Sequence, residues 1–224
     1  MNPDLFSRRY LLLDFDGPIC AVFAGLTDRT AAVELCHSLM APVPQEVASS
    51  KDPFDVLRYA AQVSPAEANI ANREFTKIEC RAVESARPTH AADQLITEAA
   101  GSGHLIAIVS NNSTEAINAY LRMQNLTDFV AGVYARTDGN VSLLKPSPYL
   151  LQAAMTSLGS SATECVFVGD SVTDIQAGNA AGVPTIGYAN RPEKAERFAP
   201  HGPAAIITTM DDALTALRAS RPIG

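Results

Sequence analysis

Cysteine is scarce and scattered. Cys20, Cys36, Cys80 and Cys165 form no C-x-x-C pair, so the spacings of zinc ribbons and dithiol redox centres are missing. All four are expected to stay reduced, which fits a cytoplasmic setting. Cys165, just ahead of an apolar run, reads as a small core residue. Lysine and arginine form no cluster, and the formal charge is −7. No nucleic-acid partner is therefore expected, because phosphate backbones are neutralised by grouped cations. No apolar run approaches the ~20 residues of a membrane span, so no membrane partner is expected either. Asp4, Arg8 and Arg9 precede a short apolar run that ends in charge, unlike a signal peptide. Internal repeats and low-complexity tracts are lacking.

What remains is ordinary globular material: 224 residues, 47 % apolar and 18 % charged. That length buries a good core, as one domain or as a domain with a sizeable insertion. An acidic balance still permits a small phosphorylated ligand, which needs only a local positive site.

The most informative stretch is Tyr10-Leu11-Leu12-Leu13-Asp14-Phe15-Asp16-Gly17. Its apolar run reads as a fully buried strand ending in two carboxylates and a glycine. Side chains two apart share a face of a strand, so Asp14 and Asp16 emerge as a pair at its carboxyl end. In open α/β sheets ligands bind at that end, and paired like charges need a cation or a shared proton.

From Thr27 to about Glu84 the pattern is helical and nothing reads as a strand. Helices are expected from Thr27 to about Met40, near Pro53 to Val63, and from Ser64 to about Ser85. Ser64-Pro65-Ala66-Glu67 carries the signature of a capping box. Beyond Pro88 strands and helices alternate, with strands at His104–Val109, Phe129–Tyr134, Glu164–Val168, Pro184–Gly187 and Ala205–Ile207. Such alternation implies a parallel, doubly wound sheet. His37, His90, His104 and His201 show no pairing spacing and read as surface or helix-end residues.

Four strand ends are expected to carry polar groups: Asp14 and Asp16, Ser110-Asn111-Asn112, Lys145-Pro146 ahead of a helix, and Gly169-Asp170-Ser171-Val172-Thr173-Asp174. Singly, the second is a common turn, Lys145 an ordinary solvated lysine, and Gly169-Asp170 divides evenly between turn and site. Jointly they suit phosphoryl transfer. Three carboxylates and waters make a hard-oxygen site for Mg²⁺, which offsets repulsion between carboxylate and phosphate. One carboxylate can attack phosphorus while another, two residues away, protonates the leaving oxygen and later deprotonates water. Ser110 can donate to a phosphate oxygen, and Lys145 supplies a point charge.

In this order the four motifs resemble those of the haloacid dehalogenase-like hydrolases. The likeness continues through Ala177-Gly178-Asn179-Ala180-Ala181-Gly182-Val183-Pro184, a stretch typical of phosphoglycolate phosphatase-like members. The resemblance implies an α/β fold, a doubly wound parallel sheet (a Rossmann-like core) with an inserted all-helical cap domain. The core would comprise residues 1–20 and 88–224, and the cap 21–87. It implies a Mg²⁺-dependent phosphatase of small phosphorylated metabolites working through an aspartyl-phosphate, and assigns no oligomeric state. Asp14 would be the nucleophile and Asp16 the general acid/base. Ser110, Asn111 and Lys145 would bind phosphate, with Lys145 also steadying the charged intermediate. The metal would be held by Asp14, the Asp16 carbonyl and Asp170, with Asp174 supporting through water or by orienting Lys145.

Pro18 departs from the family pattern, which usually has Thr or a similar residue there. Fixing φ and removing a donor, it is expected to stiffen the passage into the cap. Asp16 speaks against dehalogenation, whose family members lack the second carboxylate. Phosphonate cleavage needs a cap lysine, and no local motif selects Lys51 or Lys77. A sugar phosphomutase retains both aspartates and stays open. A receiver-type signalling module, or a binding protein without turnover, is opposed by the separated aspartates, the long insertion and the complete motif set. Arg29, Lys51, Arg58, Arg73 and Arg81 are the candidate specificity residues of the cap.

Overall fold

The structure, a computed structural model, describes residues 3–220. Residues 1–2 and 221–224, the outer ends of the expected core segments, lie outside the described residues. The chain enters through β1 (Tyr10–Leu13) and a two-residue strand, β2 (Cys20–Ala21). Four helices follow: α1 (Asp28–Ser38), α2 (Gln45–Ala48), α3 (Pro53–Val63) and α4 (Pro65–Val83). The chain returns through β3 (Arg87–Pro88) and then alternates: α5 (Ala92–Gly101), β4 (Leu105–Ser113), α6 (Thr114–Met123), β5 (Val130–Arg136) and α7 (Tyr149–Leu158). The last part runs β6 (Cys165–Gly169), α8 (Val172–Ala181), β7 (Thr185–Tyr188), α9 (Pro192–Phe198), β8 (Ala205–Ile207) and α10 (Met210–Ala219).

The main sheet has the order β5-β4-β1-β6-β7-β8, and every neighbouring pair is parallel. β1 pairs with β4 from Tyr10↔Leu105 to Leu13↔Ile108 and with β6 from Tyr10↔Cys165 to Leu13↔Val168. Strand succession runs outward in opposite directions on either side of β1 and β6, leaving a crevice at their carboxyl ends. All four residues of β1 are buried, as a strand covered on both faces requires. Leu11 and Leu13 join one apolar cluster with Ile96, Ile117 and Leu214, whereas Tyr10 and Leu12 join another with Leu57 and Leu151. The expected doubly wound architecture is present, with helices on both faces of a parallel sheet. Burying each β1 leucine contributes roughly 1.5–3 kcal/mol, so the strand is anchored without help from the acids that follow it.

The segment between β2 and β3 is helical, and its caps explain its boundaries. Thr27 Oγ1 accepts from the Thr30 N–H at 3.2 Å, and Asp52 Oδ1 from the Phe54 N–H at 2.9 Å. Ser64 Oγ accepts from the Glu67 N–H at 3.1 Å. The reciprocal half of the expected capping box is not made: Glu67 Oε2 accepts instead from the Met40 N–H at 3.2 Å. The local donor is engaged elsewhere: the Ser64 N–H, which also closes α3, donates to the Ala60 carbonyl at 3.3 Å. β2 and β3, unread in the sequence, pair antiparallel with Cys20 opposite Pro88 and Ala21 opposite Arg87. The helical segment therefore leaves and rejoins the sheet at one narrow neck.

His104 lies just past the end of α5, as one of its two expected placements has it, but not at the surface. It is only 4 % exposed, with Nε2 2.8 Å from the Phe6 carbonyl and Nδ1 3.2 Å from the Ala99 carbonyl. The helical turn Pro3–Ser7 carries Phe6 over it, and no local pattern announces that turn. His37 and His90 are exposed and His201 half-buried. The cysteines are unpaired. Among the described residues no helix is long and apolar enough to cross a membrane.

Candidate active site

Three strand ends and two helix starts meet beyond the carboxyl edge of the sheet. The Asp14 N–H donates to the Val168 carbonyl at 2.9 Å, carrying the β1–β6 ladder one residue past β1. Asp14 Oδ1 then accepts from the Phe15 N–H at 2.8 Å, and the Phe15 ring packs edge-on against Tyr120 at 5.3 Å. The chain turns at Gly17, whose φ of +104° suits glycine alone, and a Cβ there would stand 2.4 Å from the Asp170 carboxyl carbon. Asp16 Oδ1 accepts from the Val22 N–H at 2.9 Å, so the neck orients this carboxyl.

β4 continues through Ser110, Asn111 and Asn112, which the sequence reading puts just beyond the strand. Its pairing with β5 shifts register between Val109 and Ser113, and such a bulge re-aims the side chains it carries. Ser110 Oγ donates to Asn112 Oδ1 at 3.1 Å and accepts from the Asn112 N–H at 3.3 Å. Asn111 clasps the backbone of Lys145: its Oδ1 accepts from the Lys145 N–H at 2.8 Å, and its Nδ2 donates to the Lys145 carbonyl at 3.1 Å.

That clasp aims a buried ammonium. Lys145 Nζ lies 2.8 Å from Asp14 Oδ1 and 2.5 Å from Asp174 Oδ1, and donates to the Val109 carbonyl at 3.1 Å. Asp174 holds its place through α8's capping box: Oδ2 accepts from the Ser171 N–H at 2.9 Å and from Ser171 Oγ at 2.7 Å. Oxygens of Asp14, Asp170 and Asp174 lie within 4.8 Å of one another. These hard oxygen donors, in excess of the charge Lys145 supplies, form a set that could hold a divalent cation.

The electrostatics follow from burial. Desolvation, reinforced by Asp174, raises the Asp14 carboxyl to about 7 against the pull of Lys145. Desolvation likewise raises Asp16 to about 7, opposed by the Val22 N–H. Burial disfavours the charge on Lys145, yet Asp14 and Asp174 together hold its ammonium above the ordinary lysine value. Asp170 is pushed up by burial and drawn back by Lys194.

Lys194 has no counterpart in the sequence reading. It projects from α9, and its Nζ sits 2.5 Å from Asp170 Oδ2. It follows Asp170 by 24 positions, and no spacing signal ties it to the site. The other expected residues converge: Asp14, Asp16, Ser110, Asn111, Lys145 and Asp170 line one cavity of about 250 Å³. Asp174 sits behind Lys145, completely buried. From the helical segment, Asp52, Phe54 and Arg58 close the outer end of the cavity. Of the five basic residues considered for specificity, Arg58 alone lines it. Arg58 is paired there with Asp55 at 2.7 Å and Asp52 at 3.3 Å.

Comparison with known proteins agrees with this architecture. The family model for haloacid dehalogenase-like hydrolase matches residues 37–188, a span that includes Ser110, Lys145, Asp170 and Asp174 and begins after Asp14 and Asp16. A phosphoglycolate phosphatase of Yersinia pestis is 30 % identical over 122 residues, covering 54 % of this chain and 52 % of that protein. The pyrophosphatase PpaX of Halalkalibacterium halodurans is 35 % identical over 114 residues, covering 50 % and 51 %. The chain thus spans about half the length of the curated relatives it matches. Among solved structures, a predicted phosphatase from Clostridium acetobutylicum superposes with a TM-score of 0.74 at 14 % identity, covering 95 % of this chain and 99 % of that one. CbbY from Rhodobacter sphaeroides in complex with phosphate gives 0.72 at 19 %, covering 94 % and 99 %. At those identities the structures speak for the fold, while the family model covers more than half of the chain. The chain belongs to the haloacid dehalogenase-like hydrolases.

Proposed function

We propose that the protein is a Mg²⁺-dependent phosphatase of small phosphorylated metabolites, acting through an aspartyl-phosphate on Asp14. The observation that carries this reading is the bridge from Lys145 Nζ to Asp14 and Asp174, set among three carboxylates within 4.8 Å. A nucleophilic carboxylate needs a neighbouring cation to approach a phosphate dianion, and this site holds one ready. Relatives named as phosphoglycolate phosphatase and pyrophosphatase support phosphate-ester or anhydride chemistry.

In the proposed reaction an Asp14 oxygen forms a bond to phosphorus as the bond to the leaving oxygen breaks. Asp16, raised to about 7 and so protonated in a large fraction near neutrality, gives its proton to that oxygen. The same carboxylate then takes a proton from water as the water oxygen attacks phosphorus, freeing phosphate and Asp14. Ser110 donates to a phosphate oxygen, and Lys145 balances charge on the transferring group. Asp14, Asp170 and Asp174, with the Asp16 carbonyl, would hold Mg²⁺, whose contribution is to offset the substrate's negative charge and polarise the phosphoryl group. Residues 21–87 would act as a cap, with Asp52, Phe54 and Arg58 facing the leaving group. Four unpaired cysteines favour a cytoplasmic setting.

The test is phosphate release from an aryl phosphate with and without Mg²⁺, using Asp14→Asn as control. Turnover should require both the ion and Asp14. Robust hydrolysis by the Asp14→Asn protein would refute the mechanism.

A further inference from the structure

Behind the bulge of β4 lies an ion pair that the chemistry above does not use. Glu79, on α4, and Arg136, the last residue of β5, pair through Oε2 and Nη2 with both side chains essentially excluded from solvent. Taking two charges out of water is costly, and replacing such a pair by apolar groups is often neutral or stabilising. A buried pair is therefore weak evidence for a purely structural role, and its other contacts indicate what it does.

Those contacts converge on residues 111–113. Glu79 Oε1 accepts from Asn112 Nδ2 at 3.1 Å, and Glu79 Oε2 accepts from the Ser113 N–H at 3.0 Å. Arg136 Nε donates to the Asn111 carbonyl at 3.2 Å. Arg136 is itself held over the Phe75 ring of α4 at 4.7 Å and bonded to Asn72. Because a carboxylate only accepts, Glu79 forces the Asn112 amide nitrogen toward itself and the Asn112 oxygen toward Ser110. The pair thus braces three consecutive residues where the β4–β5 register slips, and the brace ends at the Ser110 hydroxyl.

We infer that Glu79 and Arg136 are positioning residues for Ser110, so that α4 of the helical segment helps to build the phosphate site. This rests on the reading of Ser110 as a phosphate donor. Neither residue touches the cavity; both act through Asn112 and the bulge backbone.

The two dependences can be separated by competitive inhibition of aryl phosphate hydrolysis by inorganic phosphate. Glu79→Leu/Arg136→Met removes the pair without leaving a lone buried charge and should stay folded. Its inhibition constant for phosphate should rise about tenfold, the value of one well-aligned hydrogen bond. In a Ser110→Ala background the same double change should add nothing further. Asn112→Ala, which leaves the ion pair intact, should reproduce the loss and serves if the double variant fails to fold. A folded double variant with the wild-type constant overturns the inference, as does an equal loss in the Ser110→Ala background. If Ser110→Ala itself leaves the constant unchanged, the reading of Ser110 falls, and the inference with it.

Discussion

Replacing Lys145 with methionine keeps the aliphatic stem and deletes the ammonium that Asp14 and Asp174 share. At the 2.8 Å separation from Asp14, an effective dielectric of about 20 gives a direct attraction of about 6 kcal/mol. Much of that offsets the desolvation of the charges, and breaking a buried pair from one side costs about 3–5 kcal/mol. In a chain of this size the loss lowers Tm on the order of 10 °C. The deficit should also depend on pH. Asp14 is raised to about 7 in the folded protein, and without Lys145 it rises further. The folded carboxyl then keeps a proton that the unfolded chain has released, so stability falls as pH rises. Between pH 6 and pH 8 the deficit should grow by about 1 kcal/mol from Asp14. Urea denaturation of both proteins at the two pH values, without Mg²⁺, measures this directly. A deficit below about 1 kcal/mol, or one identical at both pH values, would refute the picture of Lys145 as counter-ion.

Three further outcomes are expected. Gly17→Ala forces a side chain into the left-handed region and against Asp170, so denaturation should report a loss of about 1–3 kcal/mol and hydrolysis should collapse. Lys194→Ala removes the cation beside Asp170. The Mg²⁺ concentration that half-saturates thermal stabilisation should fall about fivefold, equivalent to about 1 kcal/mol, and an unchanged midpoint would show that Lys194 does not compete. With Asp14 and Asp16 both raised to about 7, the metal-free wild type should lose stability as pH rises from 6 to 8. Mg²⁺ should stabilise it more at pH 8 than at pH 6, and calorimetry across that range checks the sign.

The alternation after Pro88 was legible because buried strands write themselves as short β-branched and leucine runs ending in polar residues. The helix Pro53–Val63 was legible because proline and the apolar spacing mark it locally. What escaped depends on partners distant in sequence. Glu67 looked like half of a capping box, but its carboxylate is taken by the Met40 N–H. His104 looked peripheral until Phe6 closed over it. Lys194 and the Glu79–Arg136 pair sit on helices and a strand end whose meeting only the tertiary structure decides. Most of the motif residues that could be named beforehand lie at or near the carboxyl ends of strands, where a parallel sheet gathers its polar groups, whereas Lys145 lies between strand β5 and helix α7 and Asp174 lies in α8.

The antiparallel pair of Ala21 and Arg87 has a consequence for how this architecture tolerates change. A chain leaving Ala21 already faces the residue to which it must return, so a short turn could complete the connection. Doubling the length of a closed loop costs only about 0.6 kcal/mol in entropy. Closure entropy therefore leaves the length of chain between those two residues nearly free, and what constrains the insert is its packing: Leu57 lies in one cluster with Tyr10 and Leu12, and Glu79 holds Asn112 and the Ser113 N–H.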